Sequence, residues 1–483
     1  MFLGIDVGTS SVKALLLSDA GVIVDQSTAP LAASRPVPLW SEQSPADWWA
    51  AAQIAVGSLG SAARRSVRVV GITGQMHGAT VLDRSDEPLR PAILWNDGRS
   101  FAECAELEAA VPTLGSITGN LAMPGFTAPK LLWLRKHERA LFDRIATVLL
   151  PKDFVRLRMT GEKASDLSDA AGTLWLDVGA RRWSEAVLAA TELRTEHMPR
   201  VFEGPEEAGR LRPEVASAWG MRRVPVVAGA GDNAAGAIAM GVIADGDAML
   251  SLGTSGVVFV AIDGYRANAT TAVHTFCHCL PGLWHQMAVQ LSAASCLEWA
   301  ARLTGTADVG QLLGRAEARG AVGVPELFLP YLSGERTPYN DPHARGALIG
   351  LSHESDAAAV TQAVLEGVAM AVADGVDALA KAGARIGRLN VIGGGARSRY
   401  WGRILAAALD APLTYRAGGE VGPALGAARL ARLHGLGGSP AEQLAPPPVE
   451  FVLEPQARDV AVLRQKQARF RAAYQSLRPL FRE

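Results

Sequence analysis

A short unit occurs twice, about half a chain apart, and it limits the architecture more than any other feature. Asp6-Val7-Gly8-Thr9-Ser10-Ser11-Val12 lies between the apolar runs FLGIDV and VKALLL. Ser251-Leu252-Gly253-Thr254-Ser255-Gly256-Val257 lies between AMLSL and VVFVAI. Each reads as strand, tight turn, strand, because two apolar runs meet at Gly, Thr and Ser, which favour turns. Two such hairpins imply a duplicated domain whose halves face one ligand from opposite sides. The polar break IADGDA places the division near Asp245, giving one unit over residues 1–244 and another over 245–483. A chain of 483 residues has room for both.

The flanking sequence sets the class. Asp19-Ala20-Gly21 turns into VIVDQST, so the chain opens with an antiparallel meander. Ser44-Pro45 starts a helix, with Pro in its first turn. SVRVVGITG and VPVVAGAG read as buried strands, the second running into a small-residue helix at DNAAGAIAMG. The second half alternates helices such as AVTQAVLEGVAMAVADGVDALA with strands such as RLNVIGGG, and ends in the helix ARDVAVLRQKQARFRAAYQSL. Alternation of this kind is α/β.

Charge and composition exclude several function classes. The formal net charge is −1, which argues against a general nucleic-acid binder, since phosphate binding needs a basic surface. Hydrophobic residues at 49% describe a chain with a folded core. No apolar run reaches the ~20 residues of a membrane helix. The apolar N-terminus is interrupted by Asp6 and Lys13 and lacks a basic start and a cleavage site. Four cysteines make no disulfide framework, and a reducing cytoplasm is the expected compartment.

Backbone amides at a Gly-Thr-Ser turn form an anion-binding concavity, and the hydroxyls of Thr9, Ser10, Thr254 and Ser255 add donors. Two such turns, at Gly8 and Gly253, would clamp a polyphosphate. Asp6, just before the first turn, suits a hydrated Mg²⁺ or, equally well, an Asx turn. Asp232 ends a strand and begins a helix, where open α/β sheets place ligands and where an Asp also serves as N-cap. Gly393-Gly394-Gly395 follows a strand and precedes a helix starting near Ser398, leaving the backbone open to a phosphate or a flat ligand. His77, flanked by Gly74 and Gly78, could line a pocket. His274, Cys277, His278, Cys279 and His285 look like a metal cluster. On one strand, however, Cys277 and Cys279 share a face and His278 takes the other, so buried reduced thiols are expected instead. The G-x-G-x-x-A match at 229–234 lacks the acid that a dinucleotide site needs at the end of the next strand. No P-loop and no protein-kinase catalytic set occurs, so an ATP site would be of the opposed-hairpin type.

GFTAPKLLWLRKH at 125–137 and GALIGLSHESDAAAVTQAVLE at 346–366 resemble the two signatures of the FGGY family of carbohydrate kinases, the second departing from it at Ala359. The likeness runs from Phe2 to about Gly435. It implies two actin-like, ribonuclease-H-like domains around a cleft, with sugar on the first and ATP on the second. It implies Mg²⁺ at Asp6 and Asp232, and Asp232 as general base. Met76 and His77, with Asp232 and Asn233, would contact the sugar. Glycerol-phosphorylating members carry Arg-Glu where this chain has Met76-His77, so D-xylulose is the expected acceptor, with ribulose or a polyol as alternative. Gly8, Thr9, Ser10, Gly253, Thr254, Ser255, Gly394, Gly395 and Arg399 would bind the nucleotide. A homodimer is implied, without nucleic-acid or membrane partners. A chaperone-like or cytoskeletal ATPase would need a further domain or a polymerising surface, and a catalytically dead sugar sensor would not need Asp6, Asp232 and both hairpins.

Overall fold

The computed structural model describes residues 1–306, 308–320, 322–418 and 422–482. Two mixed sheets form its centre, and the duplication extends well beyond the hairpins. In the first, β1 (Phe2–Val7) pairs antiparallel with β2 (Ser11–Leu17), which pairs with β3 (Ile23–Pro30). On its other side β1 runs parallel to β4 (Val69–Gly74). Beyond β4 come β5 (Glu207–Arg210) and β6 (Pro225–Val227), in the order β5-β6-β4-β1-β2-β3, with the short β7 (Ala230–Gly231) also on β4.

The second sheet repeats this plan. Strand β8 (Asp247–Leu252) pairs antiparallel with β9 (Gly256–Ile262) and parallel with β12 (Arg388–Ile392). With β10 (His274–Cys277), β11 (Trp284–Gln290), β13 (Leu413–Arg416) and β14 (Val449–Leu453), the order is β10-β11-β9-β8-β12-β13-β14. Strands β8, β9 and β12 thus stand where β1, β2 and β4 stand in the first sheet. Helix α1 (Pro45–Ser58) begins at the expected proline, and α2 (Phe101–Ala110) and α3 (Thr127–His137) follow it in the first unit.

All six residues of β1 are buried, because both faces of the strand are covered. Leu3, Ile5 and Val7 point toward Trp48 and Ala52 of α1, while Phe2 and Gly4 point the other way, as alternation requires. That second face is covered from far along the chain. Gly4 and Gly71 lie side by side in register on β1 and β4. A Cβ on Gly4 would stand 2.1 Å from the Ala424 carbonyl oxygen, and one on Gly71 would stand 2.0 Å from that of Ala427. The two glycines therefore form a groove that admits the backbone of helix α7 (Pro423–Leu436).

On its own opposite side α7 meets α4 (Asp232–Ala239), where a Cβ on Gly426 would be 1.9 Å from the Ala235 carbonyl oxygen. The end of the second half is thereby seated on the sheet of the first, next to the helix that begins at Asp232. The helices α5 (Ala357–Lys381), α6 (Arg399–Leu409) and α8 (Ala457–Leu477) cover the second sheet. Two side chains of the 346–366 motif hold them together. Gln362 Oε1 accepts from Tyr400 OH at 2.6 Å, and Glu366 accepts from Lys466 Nζ at 2.6 Å.

Candidate active site

A cavity of about 290 Å³ opens between the two units. Met76, His77, Trp95, Phe126, Asp232 and Asn233 line it from the first, and Ser251, Gly253, Ser255, His274, Phe276 and Arg336 from the second.

Asp232 is the first residue of α4, and Gly231 occupies the N-cap position without a side-chain bond. The capping role open to Asp232 is therefore not the one it takes. Its Oδ1 accepts instead from its neighbour, from Asn233 N at 2.7 Å and Asn233 Nδ2 at 3.0 Å. Its Oδ2 has no hydrogen-bond partner among the described residues. The approach to Asp232 is fixed from below. Gly231 N donates to Ser168 Oγ at 3.1 Å, Ser168 bonds Asp166, and Asp166 pairs with fully buried Lys152 at 2.7 Å. Gly229, at φ +79°, leaves room where a Cβ would stand 1.7 Å from the Ile72 carbonyl oxygen.

A second carboxyl, that of Asp6, is not among the residues lining the cavity, but the charge of Asp232 acts on it. Burial pushes Asp232 up to about 6 against the two bonds from Asn233. Burial, and then the charge of Asp232, push Asp6 up to about 7, partly offset by Lys13. Asp232, whose charge raises the proton affinity of Asp6, and Asp6 itself are two buried acids that fit a divalent cation, which would stabilise both ionised forms at once.

The first hairpin is held from behind by a chain of amides. Trp48 Nε1 donates to Gln43 Oε1 at 2.9 Å, Gln75 Nε2 donates to the same oxygen at 2.8 Å, and Gln43 Nε2 donates to Thr9 O at 2.7 Å. The Thr9 hydroxyl is occupied as well, donating to Gln75 Oε1 at 2.9 Å and accepting from Trp95 Nε1 at 3.1 Å. Ser10, by contrast, is exposed. The second hairpin is held at its tip, where Ala293 N donates to Thr254 O and Ala294 N to Gly253 O, both at 2.9 Å.

His77 follows β4 with a left-handed backbone at φ 67°. The 125–137 motif secures that conformation: Thr127 Oγ1 at 3.1 Å and Lys130 Nζ at 2.9 Å both donate to His77 O. Lys130 is fully buried there, and burial lowers its pKa to about 7. His77 Nδ1 lies 2.6 Å from Gly172 O. A carbonyl only accepts, so Nδ1 carries the hydrogen and Nε2 keeps its lone pair. Burial and the Lys130 charge bring this imidazole down to about 3, so it is neutral at physiological pH.

Gly394, Gly395 and Arg399 stand outside this cavity, past the second hairpin at the end of β12. Nothing lies within 4 Å of a Cβ built on Gly394, so its backbone is open as expected. Gly395 has a packing reason to be glycine, since a Cβ would meet Trp401 at 2.7 Å. Ser398 caps α6 by accepting from Trp401 N at 3.2 Å, and the Arg399 guanidinium lies over Phe451 at 4.2 Å.

The four cysteines are free and buried, and no group of three or more His, Cys, Asp or Glu among the described residues is placed to hold a metal ion. One detail of the sequence reading is corrected. Strand β10 stops at Cys277, so Cys279 lies beyond it, and strand alternation does not set its direction. His274 on that strand, set aside with the cysteines, lines the cavity. Phe126 lies within the 125–137 signature, which does not mark it as a site residue, and Trp95, Phe276 and Arg336 carried no local signal, because each reaches the cavity only through the packing of distant segments.

Residues 1–239 match the N-terminal domain, and residues 248–434 the C-terminal domain, of the FGGY family of carbohydrate kinases. The chain belongs to this family. It is 53% identical over 482 residues, covering 99% of this chain and all of the relative, to the xylulose kinase of Escherichia coli (strain K12). A crystal structure of a xyloylose kinase from Brucella ovis superposes with TM-score 0.95 at 48% identity, covering 99% of both chains. That of a xylulose kinase from Rhodospirillum rubrum gives 0.92 at 29%, covering 100% of this chain and 99% of the other. As an FGGY kinase the chain is an ATP-using phosphotransferase with an alcohol group as acceptor. Among the described residues no helix is long and apolar enough to cross a membrane.

Proposed function

We propose that this FGGY kinase transfers the γ-phosphoryl group of ATP to the terminal hydroxyl of D-xylulose, giving D-xylulose 5-phosphate, with Asp232 as general base. The observation that carries the reading is the pairing, in one cavity, of a neutral His77 whose Nε2 can accept from a sugar hydroxyl with an Asp232 whose Oδ2 is uncommitted. Similarity at 53% identity to a protein named xylulose kinase supports the acceptor. In this reading the first unit, 1–244, presents most of the sugar site and the second, 245–483, most of the nucleotide site.

The hydroxyl is bound near Asp232 and oriented by His77 and Asn233, with Met76 as an apolar wall. Asp232 takes its proton as the bond to phosphorus forms. Phosphoryl-transfer transition states are loose, so positioning and electrostatics dominate. The backbone amides of Thr9, Ser10, Thr254 and Ser255 would serve the phosphates, those of Gly8 and Gly253 being given to Ser11 O and Ser255 O within the turns, and the turn at Gly394 and Gly395, open at Gly394, would with Arg399 receive the adenosine end. Asp6 and Asp232 would hold Mg²⁺, which when bound neutralises charge on the phosphate oxygens. The cavity walls keep water from the γ-phosphate. Four buried free thiols accord with a cytoplasmic enzyme. Light scattering tests the homodimer that family membership suggests.

The acceptor is tested with a coupled ATPase assay over D-xylulose, D- and L-ribulose, xylitol and glycerol. D-xylulose is expected to have the highest kcat/KM and glycerol a poor one, because buried groups that bind several hydroxyls are left unpaired by a shorter polyol. A higher kcat/KM for glycerol or a ribulose sinks the acceptor assignment.

The acid pair sets a pH dependence. Asp232 accepts a proton only when ionised, so kcat/KM is expected to fall about tenfold per pH unit below a midpoint near 6. Because a cation favours ionised carboxylates, raising Mg²⁺ should move that limb to lower pH. A flat profile from pH 7 to pH 5, or a limb indifferent to Mg²⁺, would refute the paired-acid reading.

A further inference from the structure

Arg336 reaches the cavity from the second unit on a loop clamped on both sides of it. Before it, Glu335 N donates to Asp341 O at 2.9 Å, and Glu335 Oε1 accepts from Leu291 N at 3.0 Å. After it, Thr337 Oγ1 donates to Ala272 O at 3.0 Å and accepts from Val289 N at 3.1 Å. The side chain between these anchors lines the cavity, and no carboxylate among the described residues pairs with it. The adjacent Glu335 gives its Oε1 to backbone amides, including that of Arg336 at 2.7 Å. Burial also pushes Glu335 up to about 8, so it offers little negative charge.

Among the described residues the one side chain hydrogen-bonded to the Arg336 guanidinium is His274, whose Nε2 lies 3.4 Å from one of its nitrogens. The orientation of His274 can be worked out from Asn120. Asn120 Nδ2 donates to Thr118 O at 2.7 Å and Thr275 O at 3.0 Å, which leaves Oδ1 as the acceptor. His274 Nδ1, 2.7 Å from that oxygen, therefore carries the hydrogen, and Nε2 presents a lone pair to Arg336. Arg336 is thus aimed by a neutral ring that adds no counter-charge. It stands at the His77 end of the cavity, because the Phe126 ring lies edge-on to both imidazoles, with centroids 4.8 Å from His77 and 5.6 Å from His274.

The chemistry of the acceptor supplies what such a donor would bind. In the ring form of a 2-pentulose, O5 is the ring oxygen and has no hydrogen to give. Phosphorylation at O5 therefore requires the open chain, which has a ketone at C2, three carbon–carbon bonds from C5. A ketone oxygen only accepts, and a guanidinium only donates. Both imidazole Nε2 atoms in the cavity are acceptors, and so suit hydroxyls rather than a carbonyl. We propose that Arg336, aimed by His274, donates to the C2 carbonyl oxygen of the open-chain ketose and makes the enzyme prefer a keto sugar to the corresponding polyol. This rests on the acceptor reading given above.

The test compares kcat and KM of the full chain for D-xylulose and for xylitol, which has an alcohol at C2, in wild type, Arg336→Gln and Arg336→Lys. A hydrogen bond from a charged group implies that Arg336→Gln raises KM for D-xylulose about 10- to 100-fold, with a smaller change in kcat. The preference for D-xylulose over xylitol should fall by a similar factor, and Arg336→Lys should recover part of it. That preference is a ratio within one preparation, so partial misfolding does not alter it. An unchanged ratio, an equal loss on both acceptors, or a fall in kcat at constant KM would overturn the assignment of Arg336 alone. A wild type that does not phosphorylate D-xylulose would overturn the acceptor reading, and this inference with it.

Discussion

Asp232→Asn should lower sugar-dependent turnover by about 10²–10⁴-fold, the usual effect of removing a general base. The same change should leave the melting temperature unchanged or raise it. The wild-type carboxyl is held at a raised pKa, first by burial, so ionising it in place is unfavourable. An amide of the same shape removes that cost. KM for ATP should change far less than kcat, because Asp6 remains to hold Mg²⁺ and the proton-accepting role lies with the acceptor hydroxyl. The combination separates chemistry from folding: a folded variant with near-wild-type kcat removes Asp232 from the reaction. Asp232→Ala should lose as much activity, and a loss accompanied by unfolding there, but not in Asp232→Asn, would mark the side chain as structural too.

Gly71→Val is expected to be among the most damaging substitutions far from the cavity. Its Cβ would lie 2.0 Å from a backbone oxygen of α7, and neither the β-strand nor the helix can yield by rotating a side chain. Overpacking typically destabilises by about 1–3 kcal/mol even where side chains can adjust. Here a fall in melting temperature of roughly 10 °C or more is expected, or no soluble protein. Gly57→Ala is the control. Gly57 lies on α1 with nothing within 4 Å of an added Cβ, so it should melt at the same temperature or slightly higher. Equal melting temperatures for the two variants would show that the glycine groove does not carry α7.

Part of this site could be read along the chain because its signals are local. The hairpins at Gly8 and Gly253 are turn residues between apolar runs, and the structure has β1-β2 and β8-β9 there. Met76 and His77 stood out because glycines flank them, and Asp232 because it joins a strand to a helix. What stayed hidden depends on segments that meet only in the folded protein. The 125–137 motif could be recognised as a signature, yet its work, Thr127 and Lys130 holding the His77 carbonyl, follows from no spacing. Arg336 and His274 lie 62 positions apart in sequence, one on a loop and the other at the start of β10, and meet only in the folded protein. The three glycines at 393–395 were read together as an opening for a ligand, but two are shaped by Leu252 and Trp401 and only Gly394 faces open space. A missing side chain signals close approach without saying what approaches.

The seating of α7 on the first sheet has a consequence for how the protein is made. Gly4 and Gly71 leave the ribosome early, while Ala424 and Ala427, which fill their groove, follow Gly71 by about 350 residues. At about 5–20 residues per second, that face of the nascent sheet waits roughly 20–70 s for its cover. The two halves are duplicated in architecture, but they are not independent during synthesis, because the first cannot bury its inner surface until most of the second has emerged. A chain stopped before Pro423 would keep an apolar groove in contact with water, and separately expressed halves would be expected to need each other in order to stay in solution.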